Sequence, residues 1–211
     1  GSDASATASA TGGTSPYTYT WDNGQATSTA TGLSIGSYTV TITDGNGCTT
    51  IETVTINEPG ALSASATSTD VSCNGGSDGS ATVTASGGTS PYSYLWSDGQ
   101  STSTATGLSG SPSILFGGTM YVVTITDGNG CTTNATAIVS EPDALSASTT
   151  TVNVSCNGGT DGSATVASSG GTSPHTYLWS DGQSTASANG LSAGTYTATI
   201  TDANGCISTT T

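Results

Sequence analysis

Gly87-Gly-Thr-Ser-Pro-Tyr-Ser-Tyr-Leu-Trp96 has two near copies in the same chain, Gly12 to Trp21 and Gly170 to Trp179, the last with His175 in the first tyrosine's place. Each copy runs on to a stretch in which apolar or aromatic residues alternate with threonine: Tyr38-Thr-Val-Thr-Ile-Thr43, Tyr121-Val-Val-Thr-Ile-Thr126 and Tyr196-Thr-Ala-Thr-Ile-Thr201. Each then closes on Asn-Gly-Cys, at Cys48, Cys131 and Cys206. Alternation with period two is the pattern of a half-buried strand. Threonine on the outer face suits it, because a β-branched side chain packs well on a pleated surface.

The spacings measure the repeat. Trp21 to Trp96 is 75 residues and Trp96 to Trp179 is 83, whereas Cys48 to Cys131 is 83 and Cys131 to Cys206 is 75. Eight extra residues therefore lie between Trp96 and Cys131. Comparison of Leu108 to Tyr121 with Leu33 to Tyr38 places them within 110–118. A unit of this length is a small domain, longer than a solenoid repeat. The expected domains are residues 1–59, 60–142 with the insertion, and 143–211.

One full unit reads as strands Leu62–Cys73, Ser80–Ser86, Tyr92–Trp96, Thr102–Leu108, Tyr121–Thr126 and Cys131–Ser140, separated by Gly, Pro and Asn turns. That is the signature of an all-β fold of tandem immunoglobulin-like antiparallel β-sandwiches, with the tryptophan as core. Gly1-Ser-Asp-Ala-Ser-Ala6 aligns with Gly76-Ser-Asp-Gly-Ser-Ala81, so repeat 1 is expected to lack its first strand and repeat 3 to stop inside its last. Repeats join through Glu58-Pro59 and Glu141-Pro142, and proline fixes φ at each joint, which predicts a semi-rigid rod.

Composition excludes whole classes of function. The chain has no Lys or Arg against 14 Asp plus Glu, a net charge of -14, and a single His. Phosphate neutralisation needs basic side chains, so nucleic-acid binding is excluded. A buried carboxylate here has no basic partner and must be met by hydrogen bonds, a metal or a proton. No apolar run is long enough to span a membrane, so no membrane insertion is expected.

Five cysteines at regular positions predict structural disulfides in an oxidising compartment. Pairing within repeats, Cys73 with Cys131 and Cys156 with Cys206, is favoured and leaves Cys48 alone. Two alternatives stay open: Cys48–Cys73 with Cys131–Cys156, or a staple between repeats through Cys73 and Cys206.

Val71-Ser-Cys-Asn-Gly-Gly-Ser-Asp-Gly79, Gly87 to Gly99, Ala105-Thr-Gly-Leu108 and Thr124-Ile-Thr-Asp-Gly-Asn-Gly-Cys131 resemble the SprB repeat of large surface adhesins of gliding bacteria, which is distantly similar to PKD-type immunoglobulin-like domains. The resemblance covers nearly the whole chain. It implies a secreted, extracellular or cell-surface filamentous protein, exported by the type IX route and used for adhesion or motility. It supplies no catalytic residues.

Three features remain as candidate sites. The turns carrying Asp44 and Asn46, Asp127 and Asn129, and Asp202 and Asn204 echo the start of a calcium loop, although the closing Glu is absent and a plain hairpin turn explains them. No other cofactor is implied. Ile114, Leu115 and Phe116, in a Gly/Pro-framed loop of the insertion, are a candidate contact with a partner or subunit. His175, the sole imidazole, reads as a packing position because Tyr17 and Tyr92 occupy its place elsewhere. Asn134-Ala-Thr136 and Asn153-Val-Ser155 fit the glycosylation acceptor. The expected partners are further copies or the continuation of a longer chain, by donated strands or otherwise, with surface glycans as a competing ligand class. No enzyme is expected.

Overall fold

In the computed structural model, which describes residues 1–112 and 117–211, all regular structure is strand. The chain divides into two compact units, Gly1–Gly60 and Ala61–Thr211. The boundary read between residues 142 and 143 falls inside the second unit.

The first unit holds β1 (Ala4–Thr7), β2 (Thr18–Trp21), β3 (Thr29–Leu33), β4 (Gly36–Thr43) and β5 (Thr49–Ile56). β1 pairs with β3, and β4 lies between β2 and β5, all antiparallel. The alternation of Tyr38–Thr43 turns Val40 and Ile42 inward, where they join Trp21, Ala30 and Leu33 in the core.

The second unit builds the same sandwich twice. Its first copy holds β6 (Ser63–Thr69), β7 (Gly79–Ser86), β8 (Ser93–Trp96), β9 (Thr104–Leu108), β10 (Ser111–Pro112), β11 (Thr119–Thr126) and β12 (Thr132–Glu141). The sheet β6-β7-β9 faces the sheet β10-β12-β11-β8. With the two-residue β10 set aside, first, second and fourth strands on one side and third, fifth and sixth on the other is the immunoglobulin arrangement. The next copy, β13 (Ser146–Val152), β14 (Gly162–Ser169), β15 (Thr176–Trp179), β16 (Ser187–Leu191), β17 (Ala198–Thr201) and β18 (Ile207–Thr210), pairs as β13-β14-β16 and β15-β17-β18.

Each tryptophan is core: Trp21, Trp96 and Trp179 are all 2% exposed, and each indole N–H donates to a backbone carbonyl, of Thr27, Thr102 and Thr185. Tyr38, Tyr121 and Tyr196 each donate a hydroxyl to the carbonyl of Ser34, Ser109 or Ser192, pinning the crossing between sheets. In the middle repeat this bond forms across the insertion, whose Ser111–Pro112 (β10) adds an edge strand beside β12. Gly110 permits it: a Cβ there would lie 2.6 Å from the Ser140 carbonyl carbon. Ile114, Leu115 and Phe116 themselves lie outside the described residues.

Candidate functional site

The sandwich has two ends, and the chemistry-bearing residues collect at them. At one end lie the turn before the last strand and the Gly-Gly-Thr loop. Asp127 Oδ1 accepts the Asn129 and Cys131 N–H groups at 2.9 and 2.8 Å, while Oδ2 accepts the Thr89 N–H at 2.9 Å. Gly88 makes room, since its φ is +60° and a Cβ would stand 2.6 Å from Asp127 Oδ2. Asp202 repeats this arrangement with Thr172, Asn204 and Cys206, and Asp44 with Thr14, Asn46 and Cys48. Asp127 and Asp202 are buried and Asp44 is half-buried. Leu62 and Leu145 lean against the glycine beside the first two carboxylates.

These N–H donors do what a basic side chain does elsewhere. Thr89 N–H for Asp127, Thr172 N–H for Asp202 and Thr14 N–H for Asp44 are the leading causes that hold each carboxyl below its ordinary value, against the opposing effect of burial. At the opposite end the Ser72 hydroxyl and N–H do the same for Asp78, and those of Ser155 for Asp161. A depressed folded-state pKa contributes stability that is complete above the ordinary value, 3.8, and is lost as the pH falls through the depressed one. The melting temperature is therefore expected to fall steeply below about pH 4. A melting temperature unchanged down to pH 2 contradicts this account of the five carboxylates.

The same geometry decides how well the turns suit calcium. Both oxygens of each carboxylate face peptide N–H groups, and the Asn46, Asn129 and Asn204 amides donate to the hydroxyls of Thr14, Thr89 and Thr172. Among the described residues no group of three or more His, Cys, Asp or Glu is placed to hold a metal ion. Calcium wants six to eight oxygens, and one already-satisfied carboxylate per turn does not fit that demand. Millimolar calcium is expected to shift the melting temperature no more than magnesium does; a calcium-selective rise would favour the metal reading.

The other end is built by the loop after the first strand. Val71 N–H donates to the Ser140 carbonyl at 2.9 Å, and Ser140 N–H to Asp70 Oδ1 at 2.8 Å. Glu141 accepts the Gly75 N–H at 2.8 Å and the Asn74 amide at 3.1 Å. Cys73 thus lies beside the end of β12, whereas Cys131 precedes its start. Ten extended residues span about 33 Å, and a disulfide needs Cα atoms within about 7 Å.

The pairing favoured from spacing, Cys73–Cys131 and Cys156–Cys206, is therefore corrected. Cys73 bonds Cys206 of the following repeat, with the Cα atoms 5.7 Å apart. Cys48, Cys131 and Cys156 are free and exposed. Beside the bond Asn204 Nδ2 donates to the Ser72 carbonyl at 2.9 Å. Asn204, singled out as a calcium ligand, is in place a contact between repeats. Glu141, expected at the joint, is there as the acceptor for Gly75 and Asn74, whereas nothing in the sequence marks Asn74 or Ser72. For the disulfide the signal was present: Cys73 follows the first strand and Cys131 precedes the last, which are opposite ends of such a sandwich.

His175 does not assemble a catalytic group. Its Nδ1 lies 2.8 Å from Ser168 Oγ, which is also 2.9 Å from the Tyr177 hydroxyl, and its buried Nε2 has no hydrogen-bond partner among the described residues. A triad needs a carboxylate bonded to the second nitrogen to orient the ring. Asn134 and Asn153 of the two acceptor sequences are exposed.

The SprB repeat family matches residues 1–26, 65–101 and 148–184. Among solved structures, the eight N-terminal immunoglobulin domains of Down Syndrome Cell Adhesion Molecule isoform 1.30.30 align at 13% identity and a TM-score of 0.38, over 92% of this chain and 31% of that one. The four N-terminal immunoglobulin domains of Dscam1 isoform 6.44 align at 13% identity and a TM-score of 0.28, over 89% and 62%. The chain thus spans less than two thirds of either. No curated protein matches it.

Proposed function

Because the chain carries the SprB repeat three times over, we propose that it is a segment of an extracellular structural and adhesive filament, built of tandem immunoglobulin-like repeats and without catalysis. The observation that supports this most is the joint between consecutive repeats, where Cys73–Cys206 and the Asn204–Ser72 hydrogen bond tie one sandwich to the next. A chain organised for chemistry invests in one site; this one repeats a frame and fastens two of the copies together. Its turn carboxylates are met by backbone N–H groups and its tryptophans are buried, which leaves the polar threonine faces and the insertion loop to meet partners. Other copies, surface glycans and a longer polypeptide are the partner classes that fit such a surface. Cell-surface display is supported by the similarity to the SprB repeat and by a disulfide of the kind that persists in an oxidising compartment.

The test is adhesion under flow. Beads coated with the oxidised chain are expected to stay on glass or on a cell surface at shear that removes albumin-coated beads. Detachment at the same shear overturns the adhesive part of the reading.

A further inference from the structure

In an Asn-Gly pair the side-chain amide is open to attack by the next backbone nitrogen, because glycine puts no Cβ beside it. The chain has seven such pairs. In four of them the glycine N–H is spent on a backbone carbonyl: Gly24, Gly47, Gly130 and Gly205 donate to Trp21, Asp44, Asp127 and Asp202 at 2.9 to 3.1 Å. Asn74-Gly75 is different. Its glycine N–H donates to Glu141 Oε2 at 2.8 Å, and its amide Nδ2 donates to Glu141 Oε1 at 3.1 Å. One carboxylate therefore touches both nitrogens of the pair. Nδ2 also donates to the Pro142 carbonyl at 3.1 Å, which holds the amide in place. A turn presents the two nitrogens together, closed by Gly76 N–H on the Cys73 carbonyl at 2.9 Å, with Gly75 at φ +72°. A Cβ on Gly75 would meet nothing within 4 Å, and Asn74 and Gly75 are exposed, so water reaches the pair.

From this contact we infer that Glu141 is the general base of a self-modification, in which Asn74 is converted through a cyclic imide to an aspartate or iso-aspartate. A base within hydrogen-bond reach of the proton it removes is the geometry such catalysis needs. Glu141 Oε2 takes the proton of Gly75 N as that nitrogen bonds to Asn74 Cγ and closes a five-membered ring. A half-turn of the carboxyl group carries the proton to Nδ2, the Cγ–Nδ2 bond breaks, and ammonia leaves. Glu141 ends as the carboxylate it began. Water then adds to one of the two imide carbonyls, and the ring nitrogen takes back a proton. Breaking the N–Cγ bond gives aspartate, whereas breaking the backbone C–N bond leaves the main chain running through Cγ as iso-aspartate. Water is the only other reactant.

The chain carries its own comparison. The turn recurs at Cys156-Asn157-Gly158-Gly159 with the same closing bond, 2.9 Å, and among the described residues its Gly158 N–H meets no carboxylate. Conversion at Asn74 acts on the joint between repeats 2 and 3, because Asn74 follows Cys73 in the chain. The product loses the Nδ2 bonds to Glu141 and Pro142 and sets a second carboxylate against Glu141, where like charges repel. The step occurs once per chain, so it makes the protein no enzyme. It stands whether or not the chain is adhesive.

The purified, oxidised chain is held in neutral buffer for days, digested with chymotrypsin and mapped by mass spectrometry. The peptide holding Asn74 should first lose ammonia and then gain water. Asn74 is expected to convert about a hundredfold faster than Asn157 in the same sample, and about a hundredfold faster than in the chain unfolded by urea, the low end of what general acid–base catalysis supplies. Both comparisons use the unaltered chain. Glu141→Gln can accept a hydrogen bond but cannot carry the proton; it should slow Asn74 by a similar factor and leave Asn157 unchanged, with Cys73–Cys206 recovered as the sign of a native fold. Asn74 no faster than Asn157, equal rates in folded and unfolded chains, or conversion in Glu141→Gln as fast as or faster than in the unaltered chain would each overturn the inference, the last by making Glu141 a guard of the amide.

Discussion

Trp96→Ala is expected to destabilise the second unit by about 3–5 kcal/mol, the usual cost of deleting a buried tryptophan. The indole is 2% exposed and sits among Val71, Ala81, Val83, Ala105, Leu108, Val123, Ile125, Ala135, Ala137 and Val139. So many of these neighbours are alanine and valine that the ring supplies much of the core volume, and short side chains cannot reach in to fill the space. The Thr102 carbonyl also loses its donor at 2.9 Å. Small domains hold only about 5–15 kcal/mol in all, so most of the margin goes. Denaturant titration should show the midpoint of the second unit falling and that of residues 1–60 unchanged, with Trp21→Ala giving the reverse. A loss below about 1 kcal/mol would mean the cavity collapses and the tryptophan is not the keystone of the sandwich. The outcome also separates two roles for the tryptophans, because a glycan-stacking ring must be exposed and its removal leaves stability alone.

Much of the frame was legible before any coordinate. The expected strands Ser80–Ser86, Tyr92–Trp96, Tyr121–Thr126 and Cys131–Ser140 lie within two residues of β7, β8, β11 and β12, because alternation and turn residues are local signals. The sequence pattern predicts a first strand running to Cys73, whereas the strand ends at Thr69. There the carboxylates of Asp70 and Asp78 take up the Ser140 and Ser72 N–H groups and turn the chain into a loop. A side chain competing for backbone donors leaves no mark on a hydropathy pattern.

Gln25, Gln100 and Gln183 show the same blindness. Each side-chain amide bonds both the N–H and the C=O of a residue six further on, standing in for a strand beside β3, β9 and β16. The sequence shows only a glutamine after Asp-Gly or Asn-Gly. The disulfide departs from the pairing that spacing favours for a different reason. Spacing along the chain measures loop length, whereas bonding depends on which end of the sandwich each cysteine occupies.

Cys73→Ser, or reduction of the native bond, is expected to cost about 5 kcal/mol on the chain-entropy account, because the bridge closes a loop with a sequence separation of 133. The loss should take a particular form. Oxidised, the second unit has two sandwiches sharing one covalent loop, so unfolding either leaves the other's ends held close. Reduced, the joint rests on contacts such as Asn204 with Ser72, each worth about 1 kcal/mol. The denaturant transition of residues 61–211 should then shift down and split in two. Tension exposes the same dependence more sharply. A pull on the chain ends passes through the bond and bypasses the residues between Cys73 and Cys206, so unfolding the oxidised chain cannot release them. At about 3.5 Å per extended residue, reduction should add about 460 Å to the extension reached in single-molecule pulling. Equal extension in both states would mean that the bond is absent from the native chain. The predicted difference would make the bridge a device that keeps a pulled filament from paying out the length of its second unit, which is what fastening repeat 2 to repeat 3 accomplishes.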